Sequence, residues 1–197
     1  HFKKFMQTLT YAPYFISTVV LIGIVNQCLH LNMGIVNNLF ELIGLNRIDF
    51  MGRASYFRHI YVWSGIWQTC GYSAIIYIAS LGNVDQSLVE ASLIDGANRL
   101  QRIKAIELPA LKPIITIQLI MAVGSIMGIG FEKVFLMQNS LNTPVSEIIS
   151  TLVYKRGLHD MQYSFATAVG LFNTIVNFTL LFVANKLSQK FGETSLW

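Results

Sequence analysis

The polar and charged side chains that could take part in chemistry collect in one stretch, EASLIDGANRLQRIKAIELPALKP, between Glu90 and Pro113. The carboxylates there occur singly, and Asp95 is better placed to form a turn with Gly96 than to act as a catalytic acid or base. The sequence has neither the G-x-x-x-x-G-K-[ST] phosphate-binding pattern nor the H-E-x-x-H zinc pattern. We therefore expect that this chain is not an enzyme and does not itself hydrolyse ATP.

Histidine and cysteine, which often bind metals, are few and dispersed. The four histidines lie near the ends of apolar segments, at His1, His30, His59 and His159. This placement favours the membrane interface over a metal site. Cys28 and Cys70 fall inside apolar segments, where cysteine behaves as a small apolar residue, so we predict neither a disulfide nor a metal site.

The segments around the polar stretch are strongly apolar. Of the 197 residues, 53% are hydrophobic and 12% are charged, whereas soluble domains carry about 25% charged residues. Four windows lack charge, at 5–40, 59–82, 113–131 and 161–185, and each can hold the roughly 20 residues that cross a membrane. Buried helices of soluble proteins rarely repeat such windows. We predict an all-α integral membrane fold, one domain over residues 1–197, with spans at about 11–29, 59–81, 114–130 and 163–185.

The basic residues indicate how these spans are oriented. The net charge is +4, but the basic residues flank the spans and form no single stripe, which indicates a membrane surface rather than nucleic acid. Eight of the 14 Lys and Arg residues lie on the side that carries both termini and the loop 82–112. The positive-inside rule places this side in the cytoplasm.

Within the loop, the pattern Ser87-x-x-Glu90 fits a capping box and predicts that a short helix starts there. Gly96 suits the end of this helix, because glycine adopts a left-handed cap at little cost. A second short helix is expected over 97–107, after which Pro109 and Pro113 would turn the chain back into the membrane.

Other segments give weaker local signals. Short helices are expected around 36–43 and over 145–154, and Pro13 falls in the first turn of the first span, where a missing N–H costs little. Gly124-x-x-x-Gly128 in the third span allows another helix to approach closely.

The loop resembles the EAA loop of binding-protein-dependent ABC importer permeases. The resemblance rests on Glu90, Ala91, Asp95, Gly96, Ala97, Ile106, Leu108, Pro109 and Pro113, and on the position of the loop between spans. Ser92 departs from the alanine that is common in the family, but both residues are small.

The resemblance implies a type I ABC importer permease in a bacterial inner membrane. In that family the loop docks into a separate ATPase, which would assign docking to Glu90, Ala91, Ser92, Asp95, Gly96, Ala97, Leu108 and Pro109. The implied partners are a second permease, an ATPase dimer that holds the ATP and Mg²⁺, and an extracellular solute-binding protein; no cofactor is expected in this chain. Family permeases usually have six spans, so we expect a chain truncated at its N-terminus.

Further segments are similar to the permease subfamily that imports complex sugars and polysaccharide fragments. They are TLVYKRG at 151–157, YSFATAVGLF at 163–172, GFEKVF at 130–135, ANK at 184–186 and SLW at 195–197. The likeness covers essentially the whole chain and implies a carbohydrate substrate.

A sugar pathway needs aromatic faces and hydrogen-bonding side chains near the middle of the membrane. Candidates in the spans and at the outer mouth are Trp67, Gln68, Tyr72, Gln118, Glu132 and Asn173. Packing and hydrogen bonds between helices would account for each span residue equally well. Glu132 fits contact with sugar, contact with the delivering protein or a solvated charge.

Two other functions remain open at this point. One is a permease of the same architecture for a solute that is not a sugar. The other is a secondary transporter or membrane scaffold that needs no ATPase, although the predicted spans carry no ionisable Asp, Glu, Lys or Arg for a coupling ion.

Overall fold

The structure is a computed structural model that describes the backbone of residues 2–190 and 196 and the side chains of residues 5–190 and 196. Every regular element in this part of the chain is helical. The first half contains α1 (Phe2–Tyr11), a 3₁₀ turn (Ala12–Phe15), α2 (Thr18–Cys28), α3 (Ile35–Leu42), α4 (Ala54–Gly82) and α5 (Gln86–Ile94). The second half contains α6 (Arg99–Arg102), a π-helical turn (Ile103–Glu107), α7 (Leu108–Gly124), α8 (Phe131–Met137), α9 (Thr143–Ser146), α10 (Ile149–Tyr154), a second π-helical turn (Lys155–His159) and α11 (Tyr163–Lys190).

The helices form two compact units. The first unit joins the chain up to Gly71 with Gly128–Phe172, and the second joins Tyr72–Met127 with the chain from Asn173 onward. The second unit therefore contains the whole predicted docking loop.

The first unit has a small apolar core where α2, α4 and α8 meet. Its buried members are Leu21, Ile22, Phe57, Val134 and Met137. Large apolar side chains elsewhere on these helices are exposed, including Val19, Trp63 and Phe135. A few buried residues beside many exposed apolar ones is the pattern expected of helices that face lipid or other helices.

Buried amides fix the irregular segments of the first unit. Asn37 is fully buried, and its side chain donates to the carbonyls of His30 and Ile48 and accepts from the Ile48 amide at 2.8 Å. Asn142 donates to the Met137 carbonyl at 3.0 Å and accepts from the hydroxyl of Ser146 at 3.1 Å. Each buried amide satisfies backbone groups that the short helices leave open.

The lengths of the described helices agree with the predicted spans in part. Among the described residues, two helices are long and apolar enough to cross a membrane, Arg99–Gly124 and Tyr163–Lys190. They contain most of the spans predicted at 114–130 and 163–185. The helix α4 covers the span predicted at 59–81 and has 29 residues. It is long enough to cross a membrane, but it is less apolar over that length than the other two helices. The prediction of an all-helical membrane fold is confirmed, whereas the number of four spans stays a prediction.

The first predicted span is not one helix. The chain over 11–29 bends by 99° between Phe5–Phe15 and Thr18–Cys28, which together form a broken span or a re-entrant segment. Pro13 lies in the 3₁₀ turn before the bend rather than in the first turn of the spanning helix. Ser17 then starts α2 as its N-cap, since its hydroxyl accepts from the Val20 amide at 3.3 Å.

The two segments expected on the outer side of the membrane, 30–58 and 131–162, contain short helices near the predicted positions. The helix expected around 36–43 is α3, Ile35–Leu42. The helix expected over 145–154 is divided into α9 and α10 by an extended residue, Glu147 (ψ 124°). The Thr151 hydroxyl stabilises the start of α10, because it accepts from the Ile148 amide and donates to the carboxylate of Glu147.

Candidate functional site: a capped helical loop

The predicted docking loop begins with the nine-residue helix α5. Its N-cap is Asp85, whose carboxylate accepts from the Ser87 amide at 2.9 Å. The predicted capping box of Ser87 and Glu90 is therefore wrong, because Ser87 already lies inside the helix. Aspartate is a preferred N-cap, so Asp85, two residues before Ser87, was visible in the sequence as an alternative. Hydrogen bonds from Ser87 hold the pKa of Asp85 below its ordinary value.

The end of α5 is a Schellman motif built on Gly96. Gly96 has φ of +75°, its amide donates to the Leu93 carbonyl at 3.1 Å, and the Ala97 amide donates to the Ser92 carbonyl at 2.9 Å. These are the two bonds that define the motif. The left-handed conformation predicted for Gly96 is thus confirmed. No atom lies within 4 Å of the place that a Cβ would take, so the backbone angle alone demands glycine there.

A capping box that sequence analysis missed begins the next helix. The side chain of Asn98 accepts from the Gln101 amide at 3.0 Å, and the Gln101 side chain accepts from the Asn98 amide at 2.7 Å. The pattern Asn-x-x-Gln was the signal for it. Only Gly96 and Ala97 lie between Asp95, the C-cap of α5, and Asn98, the N-cap of α6.

The second loop helix runs into the membrane segment without a turn. The stretch Arg99–Gly124 is one helix of 26 residues that contains a π-helical turn at Ile103–Glu107. The turn predicted at Pro109 and Pro113 is therefore wrong. Leu108 donates to the carbonyl of Ile103, five residues back, so the π-helical bonding pattern ends directly before Pro109.

The loop presents both the predicted residues and apolar ones that were not predicted. Glu90, Ala91, Asp95, Leu108 and Pro109 are exposed, while Ser92 and Ala97 are half-buried. Large apolar side chains that were missed also face outward: Leu88, Leu93, Ile94 and Leu100. Ile94 is 87% exposed, directly before the Gly96 turn. Exposed apolar side chains at a rigid turn are typical of a surface that another protein covers.

Charge and shape divide the loop into two parts. The acids Asp85, Glu90 and Asp95 flank or occupy α5, whereas Arg99, Arg102 and Lys104 lie on the segment that follows. A groove of about 480 Å³ lies at the base of the loop. Its lining includes Ser80, Asn83, Asp85, Leu88, Ile106 and Pro109.

The candidate pathway residues are divided between the two units. In the second unit, Tyr72 and Gln118 line the same groove of about 490 Å³, together with Tyr77 and Ile115. The Asn173 side-chain oxygen is buried and has no hydrogen-bond partner among the described residues. In the first unit, Gln68 donates to the Ile16 carbonyl at 2.9 Å, which supports the packing alternative for that residue.

The other two candidates lie in the first unit. Trp67 is half exposed and lines an apolar groove of about 460 Å³ with Trp63 and Ser64. Glu132 is exposed on α8. The assignment of any of these residues to a pathway stays a prediction.

Helices α7 and α11 of the second unit approach closely at Gly124. A Cβ on Gly124 would lie 2.5 Å from Leu181 Cδ1 and 3.0 Å from Leu181 Cβ, closer than carbon atoms pack. Just beyond the end of α7, the Met127 amide donates to the side chain of Asn177 in the middle of α11 at 3.3 Å. The close approach predicted from the glycine pair is confirmed at Gly124.

Several known proteins similar to this chain are named as transport permeases. It is 41% identical over 196 residues to the polygalacturonan/rhamnogalacturonan transport system permease protein YteP of Bacillus subtilis (strain 168), a match that covers 100% of this chain and 61% of the relative. Protein LplB of the same organism is 38% identical over 196 residues, covering 100% of this chain and 62% of the relative. The chain spans about three-fifths of the length of these curated relatives.

Two solved structures of bacterial ABC transporters are also similar to this chain. A chain of a bacterial ABC transporter involved in the import of the acidic polysaccharide alginate is 36% identical and superposes with a TM-score of 0.93, covering 96% of this chain and 66% of that one. A bacterial alginate ABC transporter in complex with an alginate pentasaccharide-bound periplasmic protein gives a TM-score of 0.95 at 36% identity, covering 99% and 68%. The family described as binding-protein-dependent transport system inner membrane component matches residues 2–192. With nearly its whole length matched, this chain belongs to that family of inner-membrane transport components.

Proposed function

We propose that this chain is the membrane-spanning permease subunit of an ATP-driven, binding-protein-dependent importer that takes oligosaccharides or polysaccharide fragments into the cell. The observation that carries the proposal is the capped segment from Asp85 to Gly124, which contains the loop helix α5 and the membrane helix that follows it. Both helices are capped where they meet, and only Gly96, Ala97 and Asn98 lie between the C-cap residue Asp95 and the first residue of the next helix.

The geometry suits a lever that carries movement from a soluble motor into the membrane. The Schellman motif at Gly96 and the capping box at Asn98 fix the angle between α5 and α6. Since α6 continues into α7, a push on α5 moves the membrane helix as one body. Rigid-body movement of helices is how many transporters alternate the access to their substrate.

The motor itself would be a separate ATPase dimer that binds ATP and Mg²⁺. The exposed Ile94 and the acids on α5 would enter a groove of that ATPase that is apolar with a basic rim. ATP binding would close the dimer, draw the docking loops together and open the pathway outward, and hydrolysis would reset it. A second permease would complete the membrane part.

The proposed solute and delivery protein follow from the similar proteins. One relative is named for polygalacturonan and rhamnogalacturonan, and a similar structure holds a periplasmic protein with an alginate pentasaccharide. These matches support a polysaccharide fragment as the solute and an extracellular binding protein as its donor. The groove with Tyr72 and Gln118 offers an aromatic face and an amide to a sugar in the second unit.

Orientation in a bacterial inner membrane is part of the proposal. The loop and both visible termini would face the cytoplasm, which the distribution of Lys and Arg supports. Single cysteines at the exposed positions Gln86 and His159, in a background without Cys28 and Cys70, should react with an impermeant maleimide from opposite sides. Reaction of both positions from one side would refute this orientation.

The decisive test of function uses the complete native complex in proteoliposomes. We expect the ATPase to co-purify with the permease, and ATP hydrolysis to rise when the binding protein brings an oligosaccharide. Oligosaccharide uptake should require ATP on the side of the vesicle membrane that corresponds to the cytoplasm. A secondary transporter or scaffold would purify without an ATPase, and a permease for another solute would retain the ATPase but show no oligosaccharide uptake.

A further inference from the structure

Among the described residues of the first unit, one cation is buried without a carboxylate partner. Lys133 lies on α8 and is 9% exposed. Its Nζ donates to the backbone carbonyl of Tyr61 at 2.8 Å and lies 4.8 Å from the centre of the Tyr61 ring. Burial lowers the pKa of this amine below its ordinary value.

The surroundings of Lys133 leave its charge unpaired. Ion pairs join Arg47 with Glu41, Lys155 with Glu147 and His159 with Asp160, and no described carboxylate forms one with Lys133. The adjacent Glu132 is exposed, and it makes no ion pair with Lys133. An ammonium group has three donors, and the Tyr61 carbonyl uses one of them. A buried charge is normally paired, because removing it from water is costly.

The helix opposite the ammonium lacks a side chain at the point of contact. A Cβ on Gly65 of α4 would lie 3.1 Å from Lys133 Nζ, so any larger residue would press on the amine. Tyr61 and Gly65 are four residues apart and therefore share one face of α4. The ammonium thus has an aromatic ring beside it and a bare helix surface before it.

We propose that Lys133 receives a carboxylate of an acidic oligosaccharide, and so selects sugars that contain uronic acid. The inference rests on the proposed function and deepens it. A carboxylate supplies the missing counter-ion, and a charge-assisted hydrogen bond to it is stronger than the bond that the amine makes with the neutral Tyr61 carbonyl. Because the proposed solute is a polysaccharide fragment, we take a sugar as the source of this carboxylate.

Access to Lys133 accompanies the transport movement. In the described state the amine is held by the Tyr61 carbonyl, which keeps α8 against α4. Alternating access moves helices past each other, and an outward movement of α8 would expose the amine on the side where the solute arrives. The long, flexible side chain of lysine then exchanges the carbonyl for the carboxylate.

The test compares one sugar with and without its charge. The native complex is reconstituted with its binding protein, and uptake of a galacturonate trisaccharide is compared with that of its methyl ester, which has the same rings but no carboxylate. We expect Lys133→Met to lower uptake of the acidic sugar at least tenfold and to leave uptake of the ester within about twofold of the wild type. Lys133→Arg should retain the preference for the acid, because it keeps the charge.

Lys155→Met is the matched control. Lys155 lies in the same outer segment but has its own partner, since its Nζ is 2.7 Å from a Glu147 carboxylate oxygen. We expect this variant to leave the ratio of acid to ester uptake unchanged. Complex yield and ATPase activity without solute are measured for every variant, so that a loss of folding is recognised.

Several results would overturn the inference. An equal fall for both sugars in Lys133→Met would mean that the lysine only ties α8 to α4. Weaker attachment of the binding protein, with or without sugar, would mean that its partner is a protein carboxylate. If the wild type imports neutral oligosaccharides but not the acid, the charge selection is wrong and the proposed function stands. If the wild type imports neither class with ATP, the proposed function fails as well.

Discussion

The amide of Ala97 donates to the carbonyl of Ser92 across 2.9 Å, a bond that closes the end of α5 around Gly96. The bond forms only because Gly96 takes φ of +75° between the two residues. One glycine therefore sets the direction in which the chain leaves the exposed helix and enters the helix that continues into α7. Changes at this point should affect coupling without affecting either the apolar core or the candidate sugar groove.

Gly96→Ala should weaken coupling between ATP hydrolysis and uptake. A Cβ in the left-handed region costs about 1–2 kcal/mol, and nothing nearby compensates for it. We expect normal insertion and yield, with a larger loss of uptake than of ATPase activity in proteoliposomes. Gly96→Val should show a stronger effect.

Gly82→Ala is the control for Gly96. A Cβ there would also meet no atom within 4 Å, but Gly82 lies at the end of α4 and has no positive φ. Alanine should be neutral there or stabilise the helix by up to about 1 kcal/mol. Equal effects of the two substitutions on coupling would show that the left-handed turn is not required.

Ile94→Ser should reduce the recovery of the ATPase with the permease. Ile94 is 87% exposed, and burying it against a partner would contribute roughly 1.5–3 kcal/mol. We expect a fall in ATPase co-purification without loss of permease yield. Leu158→Ser, at a residue that is 63% exposed in the second π-helical turn, should leave recovery unchanged. Loss of recovery in both variants would indicate a general defect rather than a docking site.

Gly124→Ala should destabilise the second unit. The new methyl group would overlap Leu181, and relief of such overpacking typically costs about 1–3 kcal/mol. Thermal unfolding of the purified complex in detergent should shift to lower temperature. Gly170→Ala provides the comparison, because no atom lies within 4 Å of its Cβ position. An unchanged unfolding temperature for Gly124→Ala would mean that the helices separate at no cost.

Acid should weaken the outer segment of the first unit through Glu147. Burial raises the pKa of this carboxyl, but hydrogen bonds from Lys155, Thr151 and Gln138 together with the charge of Lys155 outweigh it, so the pKa lies below its ordinary value. A carboxyl with a lowered pKa in the folded state stabilises the protein above the unfolded pKa, near 4.3 for glutamate, and this contribution is lost as the pH falls through the folded value.

The measurement for Glu147 is thermal unfolding of the complex from pH 7 to pH 3. The wild type should lose stability below about pH 4.3, and Glu147→Gln should lose less over the same range, because it has no proton to gain. The glutamine variant should already be less stable at pH 7, since its bond to Lys155 is no longer charged. Parallel curves for the two proteins would show that Glu147 contributes nothing to the pH dependence.

The sequence by itself determined the class of fold and the position of the loop. Charge-free windows of about 20 residues leave helices as the simplest way to satisfy every backbone group in lipid, and polar residues between them must lie outside. It also determined the left-handed turn at Gly96, because few residues other than glycine adopt that conformation cheaply. These features depend on local chemistry or on the solvent that surrounds a segment.

The tertiary structure decided what depends on neighbours that are distant in sequence. The contact of Gly124 with Leu181 and the burial of Lys133 against Tyr61 join residues more than 50 positions apart. No local pattern specifies such pairs, since they form only when apolar burial brings the helices together.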